Sequence, residues 1–282
     1  MNAWGGDSAL PGPLAPPANP SAGNAFLSPD GRLRWMEGDS FVTVAEDEER
    51  PERKVKLPPI ASRASKRRVL FAERSSRFCL LEEGDSELGL HLGTRRGHEK
   101  AKALVVASKL HLIDSNGRIL WSRRLPEKAI VGRAADARSL LIANDGTLAL
   151  LLQDVDPYGK ARPMLLAISP KGRDLLSLDS TAWSRIEEFK LSLDGSALAV
   201  RGFGFVPEDE NWSKAFGYYP LRSGKARVHP VHKASGGGGS LLGFDAEGWV
   251  CCVREDGKSY AFGPLGPRKA VEERERLLRF RN

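Results

Sequence analysis

The sequence predicts an all-β fold made of repeated four-stranded antiparallel units, on three observations. Glycine-containing turn signals recur in two interleaved series of short apolar segments. The turn glycines are Gly146, Gly195 and Gly248 in the first series and Gly117, Gly172 and Gly224 in the second. Their steps are 49 and 53 residues in the first series and 55 and 52 in the second. Each step holds two β-hairpins, and a four-stranded repeat of this length is typical of a β-propeller blade.

The segments around these turns favour strands over helices. Asn-Asp-Gly, Asp-Gly and Asn-Gly supply the positive φ angles that a tight strand reversal needs. The apolar runs, such as SLLI before the turn at 143–147, are short, and several alternate with polar residues,. We therefore expect a β-propeller of about five four-stranded blades over residues 26–266, with four or six blades as alternatives.

The elements are expected in the following order. Residues 26–44 form the first strands, a charged loop covers 45–68, a hairpin follows at 69–82, and an insertion covers 84–102. Regular hairpins then group into blades as 104–122 with 139–153, 164–178 with 188–202, and 215–231 with 241–254. The first strands are available to complete the last blade and so close the ring.

The two ends have different compositions. Residues 1–25 are rich in Pro, Gly and Ala and are expected to be a disordered tail,. Residues 267–282 mix apolar and charged residues and are expected to form a short amphipathic helix,. ASGGGGS at 234–240 has the composition of a flexible linker, natural or engineered,.

The sequence also gives an expectation for the cellular compartment of the protein. The first residues lack the basic and apolar regions of a signal peptide, and no apolar run is long enough to span a bilayer,. Three cysteines cannot form a disulfide framework,. We expect a soluble, cytoplasmic protein.

The net charge of +7 raises the question of an anionic partner,. Residues 53–68 contain seven basic and no acidic side chains, directly after the acidic run 46–49. Adjoining blocks of opposite charge are typical of a solvated loop, with an acidic protein or a nucleic acid as alternative partners. The candidate contacts in this region and in the insertion are Lys66, Arg67, Arg68, Arg95 and Arg96.

A second candidate surface is a cluster of aromatic residues between 203 and 219, which we expect to be a loop between hairpins. Exposed aromatic residues are enriched at protein interfaces, although the same residues could simply pack on the domain rim. The candidate partner-binding residues are Phe203, Phe205, Trp212, Phe216, Tyr218 and Tyr219.

The sequence predicts no catalytic residue, cofactor or metal ligand. Gly-Asp-Ser at 6–8, 38–40 and 84–86 lacks the contexts of serine hydrolases,. Pro230 separates His229 from His232 and favours extended chain, in which residues three apart face opposite sides. The acidic runs 154–156 and 208–210 do not match a calcium-binding loop,.

Ser-Pro-Asp-Gly at 28–31, LSLDGSALAV at 191–200 and IDSNGRILW at 113–121 resemble turns of bacterial WD40-like and quinoprotein-like β-propeller repeats. The resemblance covers residues 26–266 and concerns architecture, since no Trp-Asp dipeptide is present. It implies protein binding and scaffolding in most cases and an enzyme in a minority.

We therefore expect a non-catalytic protein-interaction module. A small-ligand binder or enzyme that uses the central funnel is the first alternative. Nucleic-acid binding through residues 53–68 is the second.

Overall fold

The computed structural model describes residues 24–45, 52–59, 66–73, 77–83, 108–125, 129–131, 139–155, 161–230, 239–245, 248–254, 259–263 and 266–268. All regular elements among these residues are β-strands. No helix with the length and apolarity needed to cross a bilayer occurs in this part of the chain.

Among the described residues, twenty-one strands form five antiparallel sheets, which we number as blades one to five. Blade one contains β1 (Ala25–Leu27), β2 (Leu33–Met36), β3 (Phe41–Val44) and β4 (Arg53–Lys56). Blade two contains β5 (Lys66–Phe71), β6 (Arg77–Glu83), β7 (Lys109–Asp114) and β8 (Ile119–Arg124). Blade three contains β9 (Ala129–Val131), β10 (Leu140–Ile142), β11 (Leu148–Val155), β12 (Ala161–Ile168) and β13 (Asp174–Leu178).

Blade four contains β14 (Trp183–Leu191), β15 (Ala197–Val206), β16 (Asn211–Pro220) and β17 (Arg227–Pro230). Blade five contains β18 (Gly239–Phe244), β19 (Val250–Arg254), β20 (Ser259–Gly263) and β21 (Gly266–Arg268). In every blade the strands pair in chain order, except that β9 and β10 lie along the same edge of β11.

Each sheet packs face to face on the next through a buried apolar cluster. Leu80 and Trp35 belong to the cluster between blades one and two, and Leu148 and Leu110 to that between blades two and three. Two further clusters join blade three to four and blade four to five. Successive four-stranded meanders packed in this way form a β-propeller, and the predicted all-β fold with five blades is confirmed.

The predicted grouping of hairpins into blades is wrong by one hairpin. The hairpin at 139–153 pairs with the strand that follows it, 161–168, and not with the hairpin at 104–122. Residues 25–56 form a complete blade and do not complete the last one. The turn signals could not reveal this, because they mark hairpins and contain no information on which hairpins share a sheet.

The charged segment 45–68 is also not a loop throughout, since it contains β4 and the beginning of β5. Pro267 and Arg268, expected at the start of a helix, belong to β21. Ala25, expected in the disordered tail 1–25, belongs to β1. Residues 1–23 of that tail, residues 269–282 of the expected helix 267–282, and the insertion 84–102 with Arg95 and Arg96 lie outside the described residues.

The two series of turn signals have a simple structural meaning. When β9 and β10 are counted together as one edge strand, the first series joins the first and second strands of a blade, and the second series joins the third and fourth. Ser192 Oγ accepts a hydrogen bond from the Ala197 amide (2.9 Å) and donates to Asp194 (2.7 Å). Ser28 makes the same bonds to the Leu33 amide and Asp30. Both kinds of turn lie at one end of the sheets, and the remaining connections lie at the other.

Candidate functional site

The aromatic segment 203–219 lies in β15 and β16, so the expectation of a loop is wrong. These are the longest described strands, with ten residues each, and they pair from Ala197–Pro220 to Val206–Asn211. The turn 207–210 joins them. We call residues 197–220 the blade-four hairpin.

One face of the blade-four hairpin packs against blade three. Leu198, Val200, Ala215 and Tyr219 are buried there with Trp183 of β14. The Trp183 ring occupies the space that glycine leaves on the neighbouring strands. A Cβ atom at Gly204 or Gly217 would lie 2.8 Å from this ring.

The Trp183 side chain is also held by a buried hydrogen bond. Its Nε1 donates to the Tyr219 hydroxyl at 2.7 Å. Burial raises the pKa of Tyr219 to about 12, although the bond from Trp183 acts in the opposite direction. The hydroxyl is therefore neutral at physiological pH and serves as an acceptor.

The other face of the hairpin turns toward blade five. Ala199, Phe216 and Tyr218 are buried in the cluster that also contains Leu241 and Cys252. Side chains two residues apart in a strand share a face. Phe203 and Phe205 therefore continue this face beyond the cluster.

Arg201 marks the point where the buried cluster ends. Its Nη1 lies 3.0 Å from Glu187 Oε2, and its Nε donates to Glu188 Oε2 at 3.3 Å. The same Glu188 oxygen accepts a hydrogen bond from the Leu241 amide at 2.9 Å. This ion-pair network ties the beginning of β18 to the middle of blade four.

Beyond Arg201 the aromatic face is open. Phe203 is 40% exposed and Phe205 is 38% exposed, while Trp212 is half-buried. Phe205 and Trp212 are cross-strand partners whose ring centroids are 6.0 Å apart in an edge-to-face arrangement. We call Phe203, Phe205 and Trp212 the exposed stripe.

An acidic turn lies at the end of this stripe. Glu208, Asp209 and Glu210 are all exposed, and Glu210 has a positive φ of 48°. We call these three residues the acidic turn. The hairpin thus presents an apolar surface directly beside a concentration of negative charge.

The structure separates the six predicted aromatic residues into two groups. Phe216, Tyr218 and Tyr219 are at most 6% exposed and belong to the inter-blade cores. Phe203, Phe205 and Trp212 form the exposed stripe. The sequence did contain a signal for close packing, because Gly202, Gly204 and Gly217 occupy positions where a Cβ atom would lie within 3 Å of a neighbouring group,.

The described arginines of segment 53–68 contact groups within the fold, whereas Lys54 and Lys56 are exposed. Arg67 Nη2 lies 2.8 Å from Glu82 Oε1, and both side chains are less than one-tenth exposed. Arg53 donates to the Ser115 carbonyl (2.6 Å), and Arg68 donates to Ser139 Oγ (3.5 Å). The side chain of Lys66 lies outside the described set.

Sequence reasoning missed a buried polar network in blade two. His111 Nδ1 lies 2.7 Å from Ser122 Oγ, and His111 Nε2 lies 3.8 Å from Glu82 Oε2. Burial lowers the pKa of His111 below 6.5; Glu82 opposes this shift, and Lys109 and Arg67 add to it. The Ser-His-Glu order resembles a hydrolytic triad only in composition, because the Nε2–carboxylate distance exceeds a hydrogen bond and Arg67 neutralises Glu82.

His229 lies on β17, opposite Phe216, and burial lowers its pKa. The residue His232 lies outside the described part of the chain. Within that part, no group of three or more His, Cys, Asp or Glu side chains could hold a metal ion.

Comparison with known proteins gives similarity at the level of structure alone. No family model and no curated protein matches the sequence. Similar solved chains include hydrazine synthase from Kuenenia stuttgartiensis, at 14% identity and a TM-score of 0.44, covering 85% of this chain and 64% of that one. The Dos1 propeller has 12% identity and a TM-score of 0.46, with coverage of 89% and 59%.

A third solved structure is the complex of KlAtg21 with the coiled coil of AgAtg16. The matching chain has 11% identity and a TM-score of 0.49, with coverage of 89% of this chain and 69% of that one. This chain spans less than two thirds of the hydrazine synthase and Dos1 chains. Because all three TM-scores lie below 0.5, the fold assignment rests on the sheets and cores described above.

Proposed function

We propose that this protein is a non-catalytic protein-interaction module that binds a partner protein through the exposed stripe. One observation carries the proposal. The blade-four hairpin extends past the Arg201 network and leaves Phe203 and Phe205 each more than one-third exposed.

The chemistry of this surface suits a protein partner. Aromatic side chains bury a large area and lose little conformational entropy on binding, and they are enriched among interface residues that dominate affinity. The Trp212–Phe205 contact and the paired strands hold the rings in place before binding. Such preorganisation lowers the free-energy cost of association.

The nucleic-acid alternative receives less support from the described residues. Arg53, Arg67 and Arg68 each contact a neighbouring group within the fold. Phosphate binding needs lysine or arginine side chains that point outward, and among the described basic residues of this segment only Lys54 and Lys56 are exposed,. The free thiols of Cys79, Cys251 and Cys252 agree with the proposed cytoplasmic location,.

The first prediction tests the stripe directly. Replacing Phe203, Phe205 and Trp212 together by Ser should weaken partner binding by about 100-fold or more, because aromatic interface residues each contribute about 2 kcal/mol or more. Stability should change little for Phe203 and Phe205, which are already exposed. The measurement is affinity capture from source cells, followed by calorimetric titration of the purified partner.

Leu175 and Leu193 supply the matched control, since they are exposed to similar extents, 38% and 46%, away from the hairpin. The Leu175→Ser/Leu193→Ser variant should bind the partner normally. Equal losses in both variants, or no loss in the stripe variant, would refute the site.

A further inference from the structure

We propose that residues 269–282 of the same chain dock on the exposed stripe when no partner is bound. The inference rests on the proposed function, because it names the regulation of that site. Three observations support it: the direction in which the chain leaves blade five, the distance that it must cross, and the complementary chemistry of the segment.

The direction follows from contacts between blades four and five. The Leu241 amide donates a hydrogen bond to Glu188, which is the cross-strand partner of Arg201. The ring centroids of Phe244 and Tyr218 are 6.4 Å apart, and Tyr218 is the cross-strand partner of Ala199. From Leu241 to Phe244, β18 therefore runs opposite to β15. The strands of blade five alternate in direction, so β21 runs parallel to β15.

This direction brings the segment toward the stripe. The chain leaves Arg268 heading for the end of the molecule where β15 carries Phe203 and Phe205. Blade five is also the blade that the aromatic face of the hairpin meets. The segment thus begins by running toward the end of the molecule that carries the surface we propose it covers.

The distance is well within reach. Four strands spaced about 4.8 Å apart place β21 about 14 Å from β18, and packed sheets lie about 10 Å apart. The 14 residues from 269 to 282 span about 21 Å as a helix and about 46 Å when extended,. Either form allows the segment to reach the hairpin.

The chemistry of the segment complements that of the hairpin. Leu277, Leu278 and Phe280 can cover the aromatic rings, and they lie among Arg276, Arg279 and Arg281. These arginines match the charge of the acidic turn, whose three carboxylates are exposed,. An apolar stripe next to negative charge favours a segment that is both apolar and basic.

The test uses the full chain with Leu277→Ser, Leu278→Ser and Phe280→Ser combined. Amide hydrogen exchange of residues 201–216 should become about tenfold faster in this variant, because the docked segment shields the hairpin. Exchange of residues 148–152 in the blade-three core reports whether the fold is intact. A control variant with Glu272, Glu273 and Glu275 changed to Ser should exchange like the unmodified protein.

A synthetic peptide of residues 269–282 gives the second arm of the test. Added to the segment variant, it should restore protection of residues 201–216, and it should fail to do so when Phe203, Phe205 and Trp212 are also changed to Ser. Unchanged exchange in the segment variant, or rescue that does not depend on the stripe, would overturn the inference.

Two outcomes separate this inference from the proposed function and from self-association. If the partner binds through the stripe but the peptide does not, the proposed function stands and the inference fails. Sedimentation velocity distinguishes docking within one chain from docking between two. A dimer that disappears in the segment variant would assign the stripe to a second copy and overturn docking within the chain.

Discussion

Trp183 shows how one residue determines the packing of a blade. Its ring fills the space above Gly204 and Gly217, and its Nε1 has the Tyr219 hydroxyl as acceptor. The indole N–H is buried from water, so loss of this acceptor leaves a polar group unsatisfied. Loss of the acceptor therefore destabilises the core between blades three and four, which contains both Trp183 and Tyr219.

We predict that Tyr219→Phe lowers the free energy of unfolding by about 1–3 kcal/mol. Urea denaturation followed by far-ultraviolet circular dichroism measures this change. Tyr218→Phe is the control, because the two tyrosines are similarly buried and Tyr218 faces the other core. Similar losses in the two variants would show that the Trp183 bond contributes little.

His111 makes stability depend on pH. Its folded pKa is lowered, so the unfolded chain binds more protons at pH values just below 6.5,. The stability that the neutral His111 ring contributes is therefore fully present above pH 6.5, the pKa of the unfolded state. It is lost as the pH falls from 6.5 toward the lower pKa of the folded state. The groups around the ring are Glu82, Arg67, Lys109 and Ser122.

We predict that His111→Gln reduces the loss of stability between about pH 7.5 and 5.5. The glutamine cannot gain a proton, so its buried environment imposes no penalty at acidic pH. Chemical denaturation midpoints at several pH values measure the effect. The same pH dependence in both proteins would assign the acid sensitivity to other groups, such as His229, whose pKa is also lowered.

At the scale of the element, the turns were predicted well because their information is local. Two turns show this, Ser28-Pro29-Asp30-Gly31 and Ser192-Leu193-Asp194-Gly195. Each contains the serine hydroxyl, the aspartate carboxylate and the glycine that stabilise the strand reversal. The role of the aromatic residues could not be predicted in this way. Which of them are buried depends on the register of β15 with β16 and on how far along the hairpin β18 packs. Both depend on contacts between residues that are distant in the sequence.

We predict that Ser192→Ala destabilises the protein by about 1 kcal/mol, because the Ala197 amide is buried and loses its acceptor,. Thermal unfolding of the variant, compared with Ser184→Ala in the same blade, measures the cost. Ser184 is exposed and its hydroxyl donates only to the Phe203 carbonyl at 3.2 Å. An equal effect of the two substitutions would contradict the role of the turn.

Across the whole molecule, each described apolar core contains residues of two consecutive blades, so each blade is stabilised mainly by packing on its neighbours. Cys79 lies in the core between blades two and three, and Cys252 lies in the core between blades four and five. Burial raises the pKa of both thiols. Alkylation of either residue therefore requires its core to open.

We predict that Cys252 is alkylated faster than Cys79 in native buffer, because the pairing of β18 with β19 shifts register next to Cys252, whereas β6 pairs with both of its neighbours without a shift. The Cys251→Ser background removes the half-buried neighbouring thiol. Mass spectrometry of digested samples gives the two rates. Equal rates would show that the molecule opens as a single cooperative unit.

Ser28 and Ser192 make the same hydrogen bonds although 164 residues separate them. In both turns the bonds join residues at most five positions apart, so the turn closes with groups of its own segment. The geometry of these turns therefore does not depend on the rest of the blade. A sequence change elsewhere in blade one or blade four should leave the path of the chain through them unaltered.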